Sequence, residues 1–305
     1  MESIRPPRGP PINFDPGAGW SGLRFRLIGW PLFTASMHRL ARTPINIPSI
    51  ERASLQRAMA ARLLKHLRVR IQYRAESPPP TAPHIIVALH EGLADVLCLL
   101  RLPLARPIRF VARAEILEWP WIGAALQRMK HIGIEPERGA ASYRALIAGA
   151  RDALQAGEHV VLFPQGAVLG IETAFQPGAF RLARLLHAPI LPVVLTGAHR
   201  IWEHPFSPRV RYGQPVGMIV LQPLSVADVQ ARAPDAVCAD VQRRMKALAL
   251  SCAISPRHFR PERDGFWDGF AYSIDERFTD VFQQIALHRQ GKAFAQGSPR
   301  ESATR

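Results

Sequence analysis

Between residues 84 and 254 the chain alternates short apolar runs with helical patterns, and few architectures accommodate that order. The β-like runs are Ile85–Leu89, Ile108–Ala112, Ile132–Ile134, His159–Phe163 and Ile190–Leu195. Helical patterns lie between them near Val96–Leu102, Glu115–Met129, Tyr143–Leu154 and Ala179–Leu186. A further β-like run at Pro215–Leu221 precedes a helical pattern around Val226–Leu250. Alternation of this kind predicts an α/β fold with a mixed, largely parallel central sheet flanked by helices. Pro192, inside one apolar run, suits an edge strand or a sheet rim, because it donates nothing to a ladder. With 48% hydrophobic residues in 305, there is ample material for a core, which excludes wholesale disorder.

The N-terminal quarter reads differently. Residues 1–19 are rich in Pro and Gly and are expected to be flexible, with no apolar run of secretory-signal length. Residues 20–76 form a basic amphipathic helical segment. Its stretch 20–74 carries eleven Arg and Lys against the single acid Glu51, so +10 of the chain's formal +15 sits there. Trp20, Leu23, Phe25, Leu27, Ile28, Trp30 and Leu32 interleave with those cations, and Leu55, Met59, Leu63 and Leu67 follow at helical spacing. Basic helices with an aromatic face match a segment lying on an anionic membrane surface. Cover over the main domain is the plainer reading, and nucleic acid is disfavoured because the aromatics follow an apolar stripe. Ser77-Pro78-Pro79-Pro80-Thr81-Ala82-Pro83 breaks the chain before the α/β domain, 84–254, and a C-terminal extension, 255–305, follows.

No stretch reaches the roughly 18 apolar residues of a spanning helix. Cys98, Cys238 and Cys252 show neither disulfide-framework nor metal-ligand spacing, which points to a reducing compartment. Gly17-Ala18-Gly19-Trp20-Ser21-Gly22 satisfies the dinucleotide pattern but follows Pro10–Pro16, which is no core strand, and it is rejected.

The chemistry-bearing candidates cluster at strand ends. His90-Glu91-Gly92-Leu93-Ala94-Asp95 follows the run Ile85–Leu89, so His90 falls at the C-terminal edge of a strand, where α/β folds place ligands. Asp95 lies close enough to orient the imidazole and stabilise its cation; the bland alternative makes Asp95 a helix cap and His90 a loop residue. Arg138, after Ile132–Ile134, is suited to hold a phosphate or stands as a solvated residue. Phe163-Pro164-Gln165-Gly166 ends another strand, with Gly166 allowing close backbone approach and Gln165 offering an amide. A metal site from His84, His90 and Asp95 is disfavoured, since no second ligand set accompanies it.

Taken together, these blocks resemble the glycerophospholipid acyltransferases of the 1-acylglycerol-3-phosphate acyltransferase type. His90 and Asp95 match the family's H-x4-D block, Arg138 after Glu137 its second, Phe163-Pro164-Gln165-Gly166 part of its F-P-E-G-T-R block, and Pro192 in Leu191-Pro192-Val193 its fourth. Phe175-Gln176-Pro177-Gly178-Ala179-Phe180 also resembles the segment between the third and fourth blocks, while Gly265-Phe266-Trp267-Asp268-Gly269 looks familiar from bacterial members without an assignable role. The resemblance covers about residues 84–200. It implies acyl transfer from acyl-CoA or acyl carrier protein to the free hydroxyl of a lysophospholipid, most simply 1-acylglycerol-3-phosphate, without metal or cofactor. His90 would be general base, Asp95 its orienter, and Arg138, Phe163, Pro164, Gln165, Gly166 and Pro192 the substrate-binding set. It further implies a peripheral place on the cytoplasmic face of a membrane, the bacterial inner membrane. The third block departs from the family: Gln165-Gly166-Ala167-Val168 replaces Glu-Gly-Thr-Arg, and Gln176 stands where a cation is usual. An acid, a hydroxyl and two cations are missing, which leaves the acceptor headgroup open. A lyso-aminolipid, or a non-catalytic membrane-binding protein of the same fold, are the alternatives.

Overall fold

The computed structural model describes residues 19–120, 122–135, 138–202, 209–260, 264, 273–281, 283–284 and 286–287. Most of the flexible segment expected over 1–19, the pair Gly17–Ala18, Glu137 and the stretch Gly265–Gly269 lie outside these residues.

Seven strands form one sheet: β1 (Arg70–Ala75), β2 (Ile85–Ala88), β3 (Ile108–Arg113), β4 (Ile132–Ile134), β5 (His159–Leu162), β6 (Ile190–Thr196) and β7 (Pro215–Val220), in the order β1-β7-β6-β2-β5-β3-β4. Every pairing is parallel except β6 with β7. Every residue of β2 and of β5 is buried, as expected for strands covered on both faces. Alternate side chains then serve two cores. Ile86 and Ala88 face the layer of helices α2 (Trp30–Ala41), α3 (Ser49–His66), α4 (Ala94–Leu99) and α6 (Ile122–Arg128). Ile85 and Val87 face α7 (Ala140–Gln155), α8 (Gly178–Leu185) and α10 (Pro234–Ser251).

The expected mixed, largely parallel sheet is present, with three local corrections. The helical segment expected over 20–76 ends at His66, and Arg70–Ala75 is instead an edge strand paired with β7 along its whole length. The helix expected at Glu115–Met129 divides into α5 (Ala114–Leu117) and α6 around Pro120, since the residue before a proline avoids helical geometry. That at Val226–Leu250 divides into α9 (Val226–Ala231) and α10, with Pro234 opening the second helix, a position that needs no N–H.

Pro192 corrects the edge assignment. It sits in β6, an interior strand, level with Val87 of β2. The β6–β7 ladder runs only from Val193↔Val220 onward, and β6 is next bridged on that flank at Ile190↔Leu224. The missing N–H of Pro192 falls in this interruption, while its carbonyl accepts from Leu221 N at 3.0 Å. An interior strand thus tolerates the proline.

The N-terminal helices are both cover and exposed surface. Met37, Leu40, Met59, Leu63, Leu64 and Leu67 belong to the core, each such burial contributing about 1.5–3 kcal/mol. In contrast Trp20, Leu23, Leu27 and Ile28, along α1 (Trp20–Arg24) and the π-helical turn Phe25–Gly29, are exposed.

Two core histidines set an acid limit on this fold. His131 Nδ1 accepts from Phe110 N, and His159 Nδ1 from His84 N, each at 3.1 Å, so neither Nδ1 can carry a proton. Burial, reinforced by Arg109 near His131 and by His84 near His159, pushes both imidazoles down to about 3. A folded pKa below the unfolded value of about 6.5 means that the unfolded chain takes up the protons first as pH falls. Stability should therefore drop by roughly 2–3 kcal/mol per pH unit between pH 6 and 5. Urea denaturation across that interval measures the slope. A flat midpoint would show that these rings are protonated in the folded protein.

Candidate active site

β2 delivers the chain to His90 at the C-terminal edge of the sheet, and the loop Glu91–Leu93 turns it into α4. Asp95 does not cap its own helix; it reaches back. One carboxylate oxygen, Oδ2, accepts from His90 Nδ1 at 2.7 Å, Glu91 N at 2.6 Å and Gly92 N at 3.0 Å. The two readings of Asp95 merge, because it anchors the loop backbone and the imidazole together. Asp95 is fully buried, whereas the His90 side chain retains 20% exposure. A carboxylate only accepts, so the Nδ1 proton is fixed on the Asp95 side and Nε2 carries the free lone pair. Phe163 stacks on the ring, with centroids 4.0 Å apart and planes at 16°, which holds the imidazole at one angle.

Gln165 is buried and fully engaged. Its Oε1 accepts from His90 N at 2.8 Å and its Nε2 donates to the Gly170 carbonyl at 2.9 Å. A carboxylate here could keep the first bond but not the second, so the amide fits the loop geometry that this chain adopts. Gly166 follows at φ +78°, a conformation that favours glycine, and its N–H turns back to the Phe163 carbonyl. The Pro164 carbonyl accepts from Gln176 N at 2.7 Å. The structure thus brings His90, Asp95, Phe163 and Gln165 into one contact group, with Pro164 and Gly166 in the same turn.

Arg138 and Pro192 stand apart from that group. Arg138 is exposed, paired with Glu135 at 2.9 Å, beyond the far edge strand β4. Three strand spacings, about 14 Å, separate β4 from β2. Pro192 is enclosed within β6, three residues below the level of His90. His84 precedes β2, at the end of the strand opposite His90 and about 20 Å away, so the trio His84, His90 and Asp95 is not assembled.

Glu91 and Glu172 were not singled out by the sequence, yet both buried carboxylates tie the site together. Glu91 Oε2 accepts from Ala198 N and His199 Nδ1, both at 3.1 Å, and Oε1 from Arg257 N at 2.9 Å. Glu172 accepts from His258 Nδ1 and from Phe259 N, each at 2.7 Å. The segment 255–260 is thereby strapped over the His90 loop, and Ile171 N completes the strap by donating to the Arg257 carbonyl.

Comparison with known protein families matches residues 68–196, from just before β1 to the end of β6, to the family described as Acyltransferase. The matched segment, residues 68–196, is an acyltransferase-family segment within a longer chain. Individual relatives of the acyltransferase domain are distant. A 1-acyl-sn-glycerol-3-phosphate acyltransferase of Chlamydomonas reinhardtii is 29% identical over 149 residues, 48% of this chain and 44% of that protein. Its counterpart in Bacillus subtilis is 28% identical over 126 residues, 41% of this chain and 61% of that protein. The chain therefore spans about half the length of these curated relatives. The crystal structure of the 1-acyl-sn-glycerophosphate acyltransferase of Thermotoga maritima superposes with a TM-score of 0.57, covering 74% of this chain and 92% of that one. At 16% identity that likeness shows the fold alone.

Proposed function

We propose that the protein transfers a fatty acyl group from an acyl thioester, acyl-CoA or acyl carrier protein, to the free hydroxyl of a lysophospholipid. The acceptor that the relatives' names favour is 1-acylglycerol-3-phosphate, giving phosphatidate. The carrying observation is the His90–Asp95 pair, with Nδ1 committed to a buried carboxylate and Nε2 left at an accessible strand edge. Nε2 takes the hydroxyl proton as the acceptor oxygen bonds to the thioester carbonyl carbon, whose π pair moves onto oxygen. Collapse of that adduct breaks the carbon–sulfur bond, and the departing sulfur recovers the proton from Nε2. Asp95 stabilises the imidazolium in between. The test is release of free thiol from acyl-CoA by the purified protein, offered lysophosphatidate and other lysolipids in mixed micelles. Release with lysophosphatidate supports this acceptor. Release only with another lysolipid favours the alternative of a different headgroup, such as a lyso-aminolipid, which the altered Gln165–Val168 block motivates. Silence with every acceptor and with a carrier-protein donor would leave the non-catalytic alternative.

A peripheral place on an anionic membrane surface, such as the cytoplasmic face of the bacterial inner membrane, belongs to the same proposal. Among the described residues no helix is long and apolar enough to cross a membrane. What supports surface docking is the exposed set Trp20, Leu23, Leu27 and Ile28 at helical spacing beside Arg24, Arg39 and Arg42. Deleting the whole segment would also remove core residues, so point changes are the cleaner probe. Leu27→Glu with Ile28→Glu should weaken co-sedimentation with phosphatidylglycerol vesicles by about tenfold or more, given about 1.5–3 kcal/mol per buried apolar side chain. Unchanged co-sedimentation would refute this docking face.

A further inference from the structure

The third block of this chain lacks the cations that the family resemblance leads one to expect, with Val168 buried, and Arg138 lies three strands away from His90. A phosphorylated acceptor nevertheless needs positive charge close to the reacting hydroxyl. On the opposite flank of β2, next to the β6 end, there is a cleft of about 520 Å³ lined by five arginines and two histidines, with no carboxylate among its lining residues. Arg200, Arg211 and Arg260 form no ion pair among the described residues, and their guanidinium groups therefore offer their donors to a ligand. Arg257, by contrast, is neutralised by a two-point contact with Asp264 at 2.6 and 3.1 Å. The Glu172 hydrogen bond holds the His258 imidazole above its ordinary pKa and so favours its cationic form at the rim.

The cleft is coupled directly to the catalytic loop. His199 and Arg257 in its wall both bond Glu91, the residue after His90. A Cβ on Gly92 would stand 3.4 Å from His199 Cα, and Gly92 is within about 7.6 Å of His90 along the chain. In 1-acylglycerol-3-phosphate the free hydroxyl and the phosphate occupy neighbouring carbons, which suits a cation cluster this near the base. The phosphates of CoA are separated from its thioester by the whole pantetheine arm, which suits a more remote one.

We propose that this cleft, built by Arg200, Arg211 and Arg260, binds the phosphate of the lipid acceptor and replaces the missing third-block cations. The inference rests on the acyltransfer reading above and adds where the headgroup sits. All the cleft residues follow residue 196, outside the segment matched to the acyltransferase family.

The test uses the full-length chain and two readouts. Calorimetric titration with sn-glycerol 3-phosphate should show binding that Arg211→Ala combined with Arg260→Ala weakens by about tenfold or more, the scale of one lost hydrogen bond between charged groups. Both side chains are exposed, so the variant should fold, and its thermal unfolding provides the control. In the thiol-release assay the same variant should raise KM for lysophosphatidate about tenfold, with kcat, KM for acyl-CoA and turnover of phosphate-free monoacylglycerol unchanged. Equal glycerol phosphate affinity in wild type and variant, or no binding by wild type, overturns the proposal. A rise in KM for acyl-CoA alone also overturns it, because the cleft would then serve the donor. Loss of glycerol phosphate binding in a protein without lysolipid transfer would keep the cleft and reject the acyltransfer reading.

Discussion

His90→Ala should lower acyl transfer by about 10²–10⁴-fold, the range for loss of a positioned general base, with the fold retained. The argument for retention is local. The imidazole is partly exposed, and when it is removed the buried Asp95 Oδ2 still accepts from Glu91 N and Gly92 N, so no buried carboxylate is left unpaired. The backbone N–H of residue 90 keeps its bond to Gln165. Activity and urea midpoint measured on one preparation separate the two effects: kcat should collapse while the midpoint stays within experimental scatter. Asp95→Asn should be different, since an amide keeps much of the shape but neither orients the same tautomer nor stabilises an imidazolium, and its loss should fall on kcat more than on KM. Near-normal turnover by His90→Ala would remove the base from the mechanism altogether.

Glu91→Ala should have the largest effect on stability of any single change near the site. Its carboxylate receives three buried donors: the Ala198 and Arg257 backbone N–H groups and His199 Nδ1. A stranded buried donor costs about 1–3 kcal/mol, so the expected loss for three is roughly 3–9 kcal/mol, a large share of the 5–15 kcal/mol typical of a folded domain. The damage should be directional. The strap 255–260 loses its hold on the loop after His90, and limited proteolysis should open there before the rest of the molecule. Glu91→Gln keeps one acceptor oxygen and turns an NH2 toward another donor, so it should fall between wild type and Glu91→Ala. An unchanged urea midpoint for Glu91→Ala would show that water satisfies these groups and that the strap is held elsewhere.

Six of the seven strands are legible because each is a short apolar run, and five of them are interior to the sheet. β1 is not. Arg70-Ile71-Gln72-Tyr73-Arg74-Ala75 does alternate, with Ile71, Tyr73 and Ala75 between polar residues, but it is exposed along nearly its whole length and runs on directly from the basic helical pattern that ends near Leu67. It is a strand because β7 offers it six consecutive backbone partners, which is tertiary information. The His90–Asp95 pair was legible because both members lie within one turn of chain, where spacing alone constrains geometry. Glu91 and Glu172 look like ordinary loop acids in the sequence, since the donors that make them important lie up to 166 residues away. Gln165 departs from the family block, and its sequence context points its amide at the acceptor; the structure places that amide between the His90 N–H and the Gly170 carbonyl. The cation cluster around Arg200, Arg211 and Arg260 was invisible for the same reason as the two acids. Its members come from two connections, the one between β6 and β7 and the segment after α10, that only the folded sheet gathers.

The strap over the His90 loop also fixes the order in which this protein comes into being. Helices α1 to α3 emerge from the ribosome before the histidine, and the Arg257 amide that fastens the Glu91 carboxylate follows that residue by 166 positions. At about 5–20 residues per second, that interval lasts roughly 8–33 s. For all of it Glu91 has no Arg257 to hold, and the cleft lacks one wall. A nascent chain therefore carries its exposed apolar helix well before Arg257 is there to fasten the loop after His90, and a chain cut short before residue 257 lacks that fastening.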